Sequence, residues 1–258
     1  MLILLPPSEG KNAPVRGRPL VVEKTSLPAL HDGRREVLDA LVRLCAGDPD
    51  LAARTLGLGS TQQDAVDRNA ALPTAPASRA DRVYSGVLYE ALGLPSLPGP
   101  QRRRASRRLV VTSALFGLLR PQDRIPAYRL SGDVDLPGVG KLPAYWRPRL
   151  DRVVPSLARG LLVDLRSSTY SGFWRPDSDT AQRVVTVRVL HEVHGRRSVV
   201  SHFNKATKGR LVRDLLGEAD APATAKELAR GLERLGWDVE PGAPGRHGTP
   251  LDVVVSEL

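Results

Sequence analysis

The amino-acid sequence predicts a mixed α/β (α+β) fold, with a central mixed sheet and an inserted helix-hairpin-helix element. Three observations predict it: short apolar runs that end in turn-forming residues, apolar residues at helical spacing, and one long stretch of strict alternation. The 258 residues, 41% of them hydrophobic, are enough to bury a substantial core. We expect a single compact domain over residues 1–258, since no repeat or clear linker interrupts the chain.

The strands are predicted from apolar runs and from alternation. Residues 1–5, 108–113 and 161–165 are short apolar runs followed by polar or turn-forming residues, as in buried strands. Residues 183–193 alternate, which predicts a half-buried strand. We expect a turn at 195–197 and a returning strand over 198–203, and a last strand over 251–255.

The helices are predicted from apolar spacing of three and four. Residues 34–45 fit one amphipathic helix, and residues 51–69 fit two short helices. Residues 208–216 and residues 224–235 each fit one further helix.

Composition narrows the function classes. Cys45 is the one cysteine, which excludes an intramolecular disulfide and a multi-cysteine metal site and favours a reducing, cytoplasmic location. The apolar start stops at Pro6-Pro7, too short for a signal peptide or a membrane span. We therefore expect no membrane association, and the oligomeric state stays open.

Positive charge is concentrated in two windows. The formal net charge is +10, and only six of the 38 basic residues are lysines. Residues 101–125 contain seven basic residues against Asp123, and residues 196–213 contain six and no acid. On one face, these windows would attract phosphates as DNA-binding surfaces do. Solvated loops of an arginine-rich protein are the alternative.

A glycine pair in the region 51–69 matches the hairpin of helix-hairpin-helix modules. Gly57, Leu58, Gly59 and Ser60 are the predicted DNA-binding residues, because the N–H groups of such a turn, beside a helix N-terminus, can bind a backbone phosphate. The alternative is that the glycines only end a helix.

Lys11 lies in the loop that follows the first strand. The spacing Ser8-x-x-Lys11 resembles in outline the Ser/Lys pair of acyl enzymes, but that motif needs a helix, and Pro6, Pro7 and Gly10 favour a loop. A Lys11 that points into a cleft and holds an anion is the preferred interpretation, and an exposed loop lysine is the alternative.

Two later segments also place polar side chains at or just after the end of a predicted strand. Asp164 follows a buried strand, and is either a functional acid or the buried partner of Arg166. The segment 203–210 offers cationic donors at a strand-to-helix transition, where an anion is favoured. His191 and His194 fall on opposite strand faces, so we expect no metal site, and no other cofactor is indicated.

Seven ordered blocks resemble the YaaA family of bacterial peroxide stress proteins. They occupy residues 4–11, 83–86, 113–123, 126–130, 145–146, 164–170 and 202–210, and the resemblance is weakest over 218–258. Some family members have Ser-Pro-Ala-Lys where this chain has Pro-Pro-Ser-Glu-Gly-Lys, which leaves Lys11 as the shared element. The resemblance implies a cytosolic α/β protein with a helix-hairpin-helix element that binds DNA and lowers free intracellular iron under hydrogen peroxide.

Two functions follow, and the sequence leaves both open. One is a stress-response protein that contacts the DNA backbone through the hairpin and the arginine windows. The other is an enzyme for a small anionic or nucleobase-like substrate, with Lys11, Asp164 and Lys205 as its catalytic residues. The predicted anion-binding or substrate-binding set is Lys11, Arg120, Tyr128, Arg129, Arg166, Ser167, Tyr170, Asn204, Lys205 and Lys208.

Overall fold

A computed structural model describes residues 1–193, 196–198 and 201–256. The strands are β1 (Leu2–Leu5), β2 (Ser78–Arg79), β3 (Leu109–Ser113), β4 (Gly117–Leu119), β5 (Arg124–Ile125), β6 (Asp135–Leu136), β7 (Gly140–Lys141), β8 (Leu162–Asp164), β9 (Val184–Val193), β10 (Arg196–Ser198), β11 (Asp238–Pro241) and β12 (Thr249–Val255). The α-helices are α1 (His31–Cys45), α2 (Pro49–Leu56), α3 (Asp64–Ala70), α4 (Ala80–Val83), α5 (Val87–Leu92), α6 (Gly99–Arg108), α7 (Leu142–Leu157), α8 (Ser168–Ser171), α9 (Ser178–Ala181), α10 (Ser201–Gly217) and α11 (Ala225–Arg234).

One mixed sheet organises the fold. Its strand order is β11-β12-β9-β8-β1-β3-β4, with β10 paired to β9. The five strands from β12 to β3 run parallel, whereas β4, β10 and β11 are antiparallel to their neighbours. The mixed α/β fold class is therefore confirmed.

The central strands are apolar because both sheet faces are covered. Every residue of β1, β3 and β8 is buried, which explains why their sequences read as runs rather than as alternations. In β9 the side chains of Val185, Val187 and Val189 are buried while Arg188 between them is exposed, as the alternation predicts. All four strands were predicted within one or two residues.

Among the helices, α1 buries Val37, Leu41 and Cys45 of its predicted face and begins three residues earlier than expected. The predicted pair of short helices over 51–69 is confirmed by α2 and α3. The helix predicted over 224–235 is confirmed by α11, and Thr224 caps it through a hydrogen bond from the Glu227 N–H.

The predicted turn at 195–197 and returning strand over 198–203 are mostly wrong. Residues 196 and 197 lie in β10, which pairs with β9, and residues 201–203 begin α10, so Ser198 is the one described residue of the predicted range that lies in a strand. A short apolar run does not distinguish a strand from a helix, and here the helical spacing that follows decides the outcome. Predictions that involve His194, Gly195, Val199 and Val200 lie outside the described residues.

Helix α10 and helix α5 touch through their backbones. A Cβ at Gly209 would lie 2.3 Å from the carbonyl oxygen of Leu88 and 2.8 Å from the Cβ of Ala91, so only glycine fits there. This contact fixes the position of α10 against the segment that precedes β3.

Within the described ranges, no helix is both long enough and apolar enough to cross a bilayer.

Candidate functional site

Three neighbouring parallel strands end at one edge of the sheet, here called the carboxyl edge. They are β8, β1 and β3, whose last residues are Asp164, Leu5 and Ser113. Ligands of open α/β sheets bind outside the carboxyl ends of the strands. The segments that follow these three strands carry most of the predicted site residues.

The loop after β1 is held by the segment that follows α4. The Asn12 N–H donates to the Val83 carbonyl at 2.8 Å, and the Ser85 N–H donates to the Ser8 hydroxyl at 3.1 Å. The Tyr89 hydroxyl donates to the Pro6 carbonyl at 2.7 Å. These bonds fix the loop and, with it, the start of the Lys11 side chain.

Lys11 lies against two aromatic rings and has no carboxylate partner among the described residues. Its Nζ is 4.1 Å from the ring centroid of Tyr128 and 5.5 Å from that of Tyr84, and it donates to the Ser8 carbonyl at 2.7 Å. Burial lowers the pKa of the Lys11 amine, and the cations of Arg129 and Arg68 add to this against the opposing effect of Glu9, which brings the pKa to about 7. A large fraction of this lysine is therefore uncharged at neutral pH.

Behind the amine, three hydroxyls form a hydrogen-bonded chain. The Tyr128 hydroxyl lies 2.9 Å from the Tyr84 hydroxyl and 2.7 Å from the Ser113 hydroxyl. Burial raises the pKa of Tyr84 to about 12 and raises that of Tyr128 well above its ordinary value, so both phenols stay protonated. The three hydroxyls are therefore linked by hydrogen bonds, and none of them carries a charge.

Glu9, the carboxylate nearest to Lys11 in sequence, is paired with a different cation. Its Oε2 lies 2.6 Å from Nη1 of Arg129, while Nε of Arg129 is buried and has no hydrogen-bond partner among the described residues. Asn69 fixes the Arg129 backbone from both sides, donating to its carbonyl at 2.7 Å and accepting from its N–H at 2.9 Å. Arg129 thus keeps an unused donor beside Lys11.

Asp164 and Arg166 form a buried bidentate ion pair. Arg166 donates to Oδ1 of Asp164 at 2.9 Å and to Oδ2 at 2.7 Å, and also to the carbonyls of Tyr170 and Trp174. Burial by itself raises the pKa of Asp164, but the charge and hydrogen bonds of Arg166 outweigh it, so the net pKa is lowered. Both oxygens of Asp164 are hydrogen-bonded to Arg166, and this is the buried ion pair that the sequence left as one of two alternatives.

Helix α10 brings Lys208 to the same edge. Its Nζ donates to the carbonyl of Leu165, just after β8, at 3.0 Å. Burial lowers the pKa of Lys208, with Asp164 acting against that shift. Asn204 lies one turn earlier on the helix, and its side-chain oxygen is buried without a partner. Lys205 is exposed.

The remaining predicted residues divide between the two ends of the sheet. Tyr170 is buried at the carboxyl edge and Ser167 is exposed near it. Arg120 lies elsewhere, because its guanidinium donates to the carbonyls of Arg107 and Leu109 at the start of β3. The structure does not bring Arg120 to Lys11.

The glycine hairpin ends α2 and leads toward α3. Gly57 is left-handed (φ 63°), and the N–H groups of Gly57 and Leu58 donate to carbonyls of α2, so they are engaged in ending that helix. Gly59 is exposed and extended, and it precedes the 3-10 turn Ser60–Gln62. A Cβ at this position would lie more than 4 Å from every other described atom outside its chain neighbours. The open part of the hairpin is therefore at Gly59.

Helix α3 joins the hairpin to the carboxyl edge. Arg68 on this helix pairs with Asp64 and also acts on the Lys11 amine. The helices α2 and α3 contain three aspartates and two arginines, so the hairpin itself is not basic.

A second basic region lies at the opposite end of β3. It is a groove of about 290 Å³ lined by Pro100, Arg103, Arg104, Arg107, Arg108 and Ala219, here called the amino-edge groove. Arg104 and Arg108 donate to the last carbonyls of α10 and to those just beyond it. Arg103 and Arg107 are exposed and have no ion pair in the described parts of the chain.

The second charge window is not part of one continuous basic face. Arg197 pairs with Glu192 and Glu240, and Arg213 donates to the carbonyl of Leu92. Many cations of both windows therefore form ion pairs with carboxylates or donate hydrogen bonds to backbone carbonyls.

Sequence reasoning did not single out Glu9, Asn69, Tyr84 and Ser113 as site residues. Ser113 ends a predicted strand, and that position was an available signal for it. Within the described ranges, no group of three or more His, Cys, Asp or Glu side chains is arranged to hold a metal ion.

Comparison with known proteins assigns the family. The sequence model of the family described as "Peroxide stress protein YaaA" matches residues 1–241, which include the carboxyl edge, the hairpin and the amino-edge groove. The chain belongs to the YaaA family. It is 50% identical over 261 residues to a UPF0246 protein of Streptomyces coelicolor, with both chains fully covered.

Other relatives extend the match across bacteria. A UPF0246 protein of Corynebacterium glutamicum is 40% identical over 86% of this chain and 87% of its own, and one of Corynebacterium efficiens is 38% identical over 93% and 95%. Membership in the YaaA family supports a stress-related role for this protein.

Proposed function

We propose that this YaaA-family protein acts in the cytoplasm, binds duplex DNA through backbone contacts and limits iron-dependent damage to that DNA during peroxide stress. The observation that carries the proposal is the exposed hairpin at Gly59. Its N–H group has no partner in the described residues and precedes a helical turn, an arrangement that suits a phosphate oxygen.

Charge supports the same partner. The net charge of +10 attracts a polyanion, and the exposed Arg103 and Arg107 are free to contact phosphates. Contacts of this kind read no base edges, so the proposed binding is mostly independent of DNA sequence.

The test is a titration of a short duplex with the full-length protein between low and physiological salt, measured by fluorescence anisotropy. Logarithmic affinity is expected to fall by about 0.9 per phosphate contact for each logarithmic unit of salt. An affinity that does not change with salt would rule out backbone binding.

Gly59→Gln tests the hairpin directly. Gly59 has an ordinary φ and open space around it, so the new side chain strains nothing in the fold but covers the N–H groups that face the phosphate. We expect duplex affinity to fall about tenfold, the loss of one charge-assisted hydrogen bond. Gly231→Gln is the matched control, since it adds the same side chain on α11, away from the hairpin.

Protection is measured on the same variants. Supercoiled plasmid is exposed to ferrous iron and hydrogen peroxide with each protein, and strand breaks are counted on a gel. The wild-type protein and Gly231→Gln are expected to reduce breaks, and Gly59→Gln to reduce them less. Equal protection by Gly59→Gln and Gly231→Gln would show that protection does not depend on the hairpin.

A further inference from the structure

The carboxyl edge contains an amine that its surroundings prepare for covalent chemistry. Lys11 is partly buried, lies over the Tyr128 ring and donates to a main-chain oxygen. Glu9 would be its natural counter-ion, but that carboxylate lies 2.6 Å from Arg129. A lysine whose only role was structural would gain more from a carboxylate than from an aromatic face and a second cation.

The groups around Lys11 determine its charge. Glu9 faces it from its own loop, Arg129 from the segment after β5, Arg68 from α3, and the phenols of Tyr84 and Tyr128 from beneath. Two of these groups are cations, one is a carboxylate already paired, and two are neutral. Desolvation and a neighbouring cation are the two conditions that make a lysine amine a nucleophile at neutral pH.

The same neighbours indicate the substrate's charge. In the described part of the chain, Arg129 keeps a buried Nε without a hydrogen-bond partner, which suits an anionic oxygen close to the reacting amine. An uncharged amine beside an unused guanidinium donor fits a molecule with a carbonyl carbon next to a phosphate.

We propose that Lys11 is a catalytic nucleophile that forms an imine with an aldehyde flanked by phosphate. The Lys11 nitrogen attacks the carbonyl carbon and a C–N bond forms. The two protons of the amine leave with the carbonyl oxygen as water, and a C=N bond remains. The balance is one aldehyde plus one amine giving one imine plus one water, so no oxidant or reductant is needed.

Two sources supply such an aldehyde. One is the ring-opened sugar at a base-loss site in duplex DNA, which has phosphates on both sides; this source rests on the DNA binding proposed above. Helix α3 supports it, because it follows the hairpin and brings Arg68 to Lys11. The other is a small phosphorylated aldehyde free in solution.

The experiment traps the imine with sodium cyanoborohydride, which converts it to a stable amine. The full-length protein is incubated with three probes: a duplex with one abasic site, the same duplex undamaged, and glyceraldehyde 3-phosphate. Adducts are resolved on denaturing gels, and the modified residue is located by peptide mass spectrometry. We expect an adduct at Lys11 with the abasic duplex and none with the undamaged one.

Variants make the result specific. Lys11→Gln is expected to lower adduct yield at least tenfold, whereas Lys226→Gln, an exposed lysine on α11, leaves it unchanged. Folding of both is checked by thermal unfolding, and both should still bind undamaged duplex. The wild-type yield is expected to rise as pH passes through about 7, since the uncharged amine is the reactive form. An exposed lysine would show that rise near its ordinary pKa of about 10.4.

The outcomes separate this inference from the DNA-binding proposal. Adducts with the triose phosphate but not with the abasic duplex retain Lys11 as the nucleophile and overturn the DNA source. Duplex binding without any Lys11 adduct overturns the inference and leaves DNA binding intact. Equal adduct yield from Lys11→Gln would also overturn it.

Discussion

The two basic regions of the protein use positive charge in opposite ways. At the carboxyl edge the cations are buried or partly buried, and two of them pair closely with carboxylates, Arg129 with Glu9 and Arg166 with Asp164. In the amino-edge groove the arginines either donate to backbone carbonyls or face solvent without a carboxylate. The first arrangement favours a specific small group, and the second favours any polyanion.

Solvent screening makes the difference between the carboxyl edge and the amino-edge groove measurable. Charges exposed to solvent are screened within about 8 Å at physiological ionic strength, whereas buried pairs are screened much less. Added salt should therefore weaken whatever the amino-edge groove binds and leave the carboxyl edge nearly unchanged.

The largest expected effect is at the buried pair. Arg166→Met leaves Asp164 buried and unpaired, which is expected to lower the free energy of unfolding by about 3–5 kcal/mol. Urea denaturation at pH 7 measures it. Arg188→Met is the matched control, because its pair with Asp252 is mostly exposed on the Arg188 side and is expected to contribute about 1 kcal/mol or less.

The pH dependence of this pair has a definite sign. In the native protein the pKa of Asp164 is lowered, so its contribution is present above the ordinary aspartate pKa and is lost as pH falls through the folded value. In Arg166→Met, burial raises the pKa of the unpaired carboxyl. The destabilisation should therefore shrink as pH falls from 7 to 5, and an equal loss at both values would contradict the buried-charge explanation.

A smaller effect is expected at Arg108. This side chain donates to the carbonyls of Glu218 and Ala219 beyond the end of α10, so Arg108→Met is expected to cost about 1–2 kcal/mol of stability. Arg107→Met next to it removes an exposed cation and should change stability by less than about 0.5 kcal/mol. Equal losses would mean that Arg108 acts through general charge instead of its hydrogen bonds.

The smallest expected effect on the fold, and the clearest on DNA, is the double variant Arg103→Gln with Arg107→Gln. Its salt slope for duplex binding should be lower by about 1.8, which is about 0.9 for each lost phosphate contact. Arg230→Gln with Arg234→Gln on α11 removes the same net charge elsewhere. If both double variants lose the same slope, net charge and not the groove drives binding.

Sequence patterns predict the carboxyl edge better than the amino-edge groove. Apolar runs followed by polar residues predict β1, β3 and β8 as strands, and Lys11, Asp164 and Tyr170 were predicted as site residues at or after the ends of β1 and β8. The Asp164–Arg166 pair was one of two predicted alternatives because its residues are two apart, whereas the Glu9–Arg129 pair could not be predicted because its side chains are far apart in sequence. Arg120 shows the same limit, since its guanidinium lies at the start of β3 and not at the carboxyl edge.

Other differences have local physical reasons. Helix α7 contains Pro148 and Pro155, which sequence rules take as helix breakers, yet it continues because Trp146, Leu150 and Val154 are buried in the core. Arg34 reads as a solvent-exposed helix residue, but it is fully buried and donates to the carbonyls of Phe116 and Leu118. In both cases tertiary packing outweighs the local pattern.

The backbone contact at Gly209 holds α5 and α10, two helices near the site, in fixed positions relative to each other. Helix α5 follows the segment that holds the Lys11 loop, and α10 carries Lys208 and Asn204. Because the two helices touch without side chains between them, neither can slide along the other without a clash. A molecule that binds at the carboxyl edge would therefore contact two elements held in fixed positions relative to each other, and little binding free energy would be lost to rearranging them.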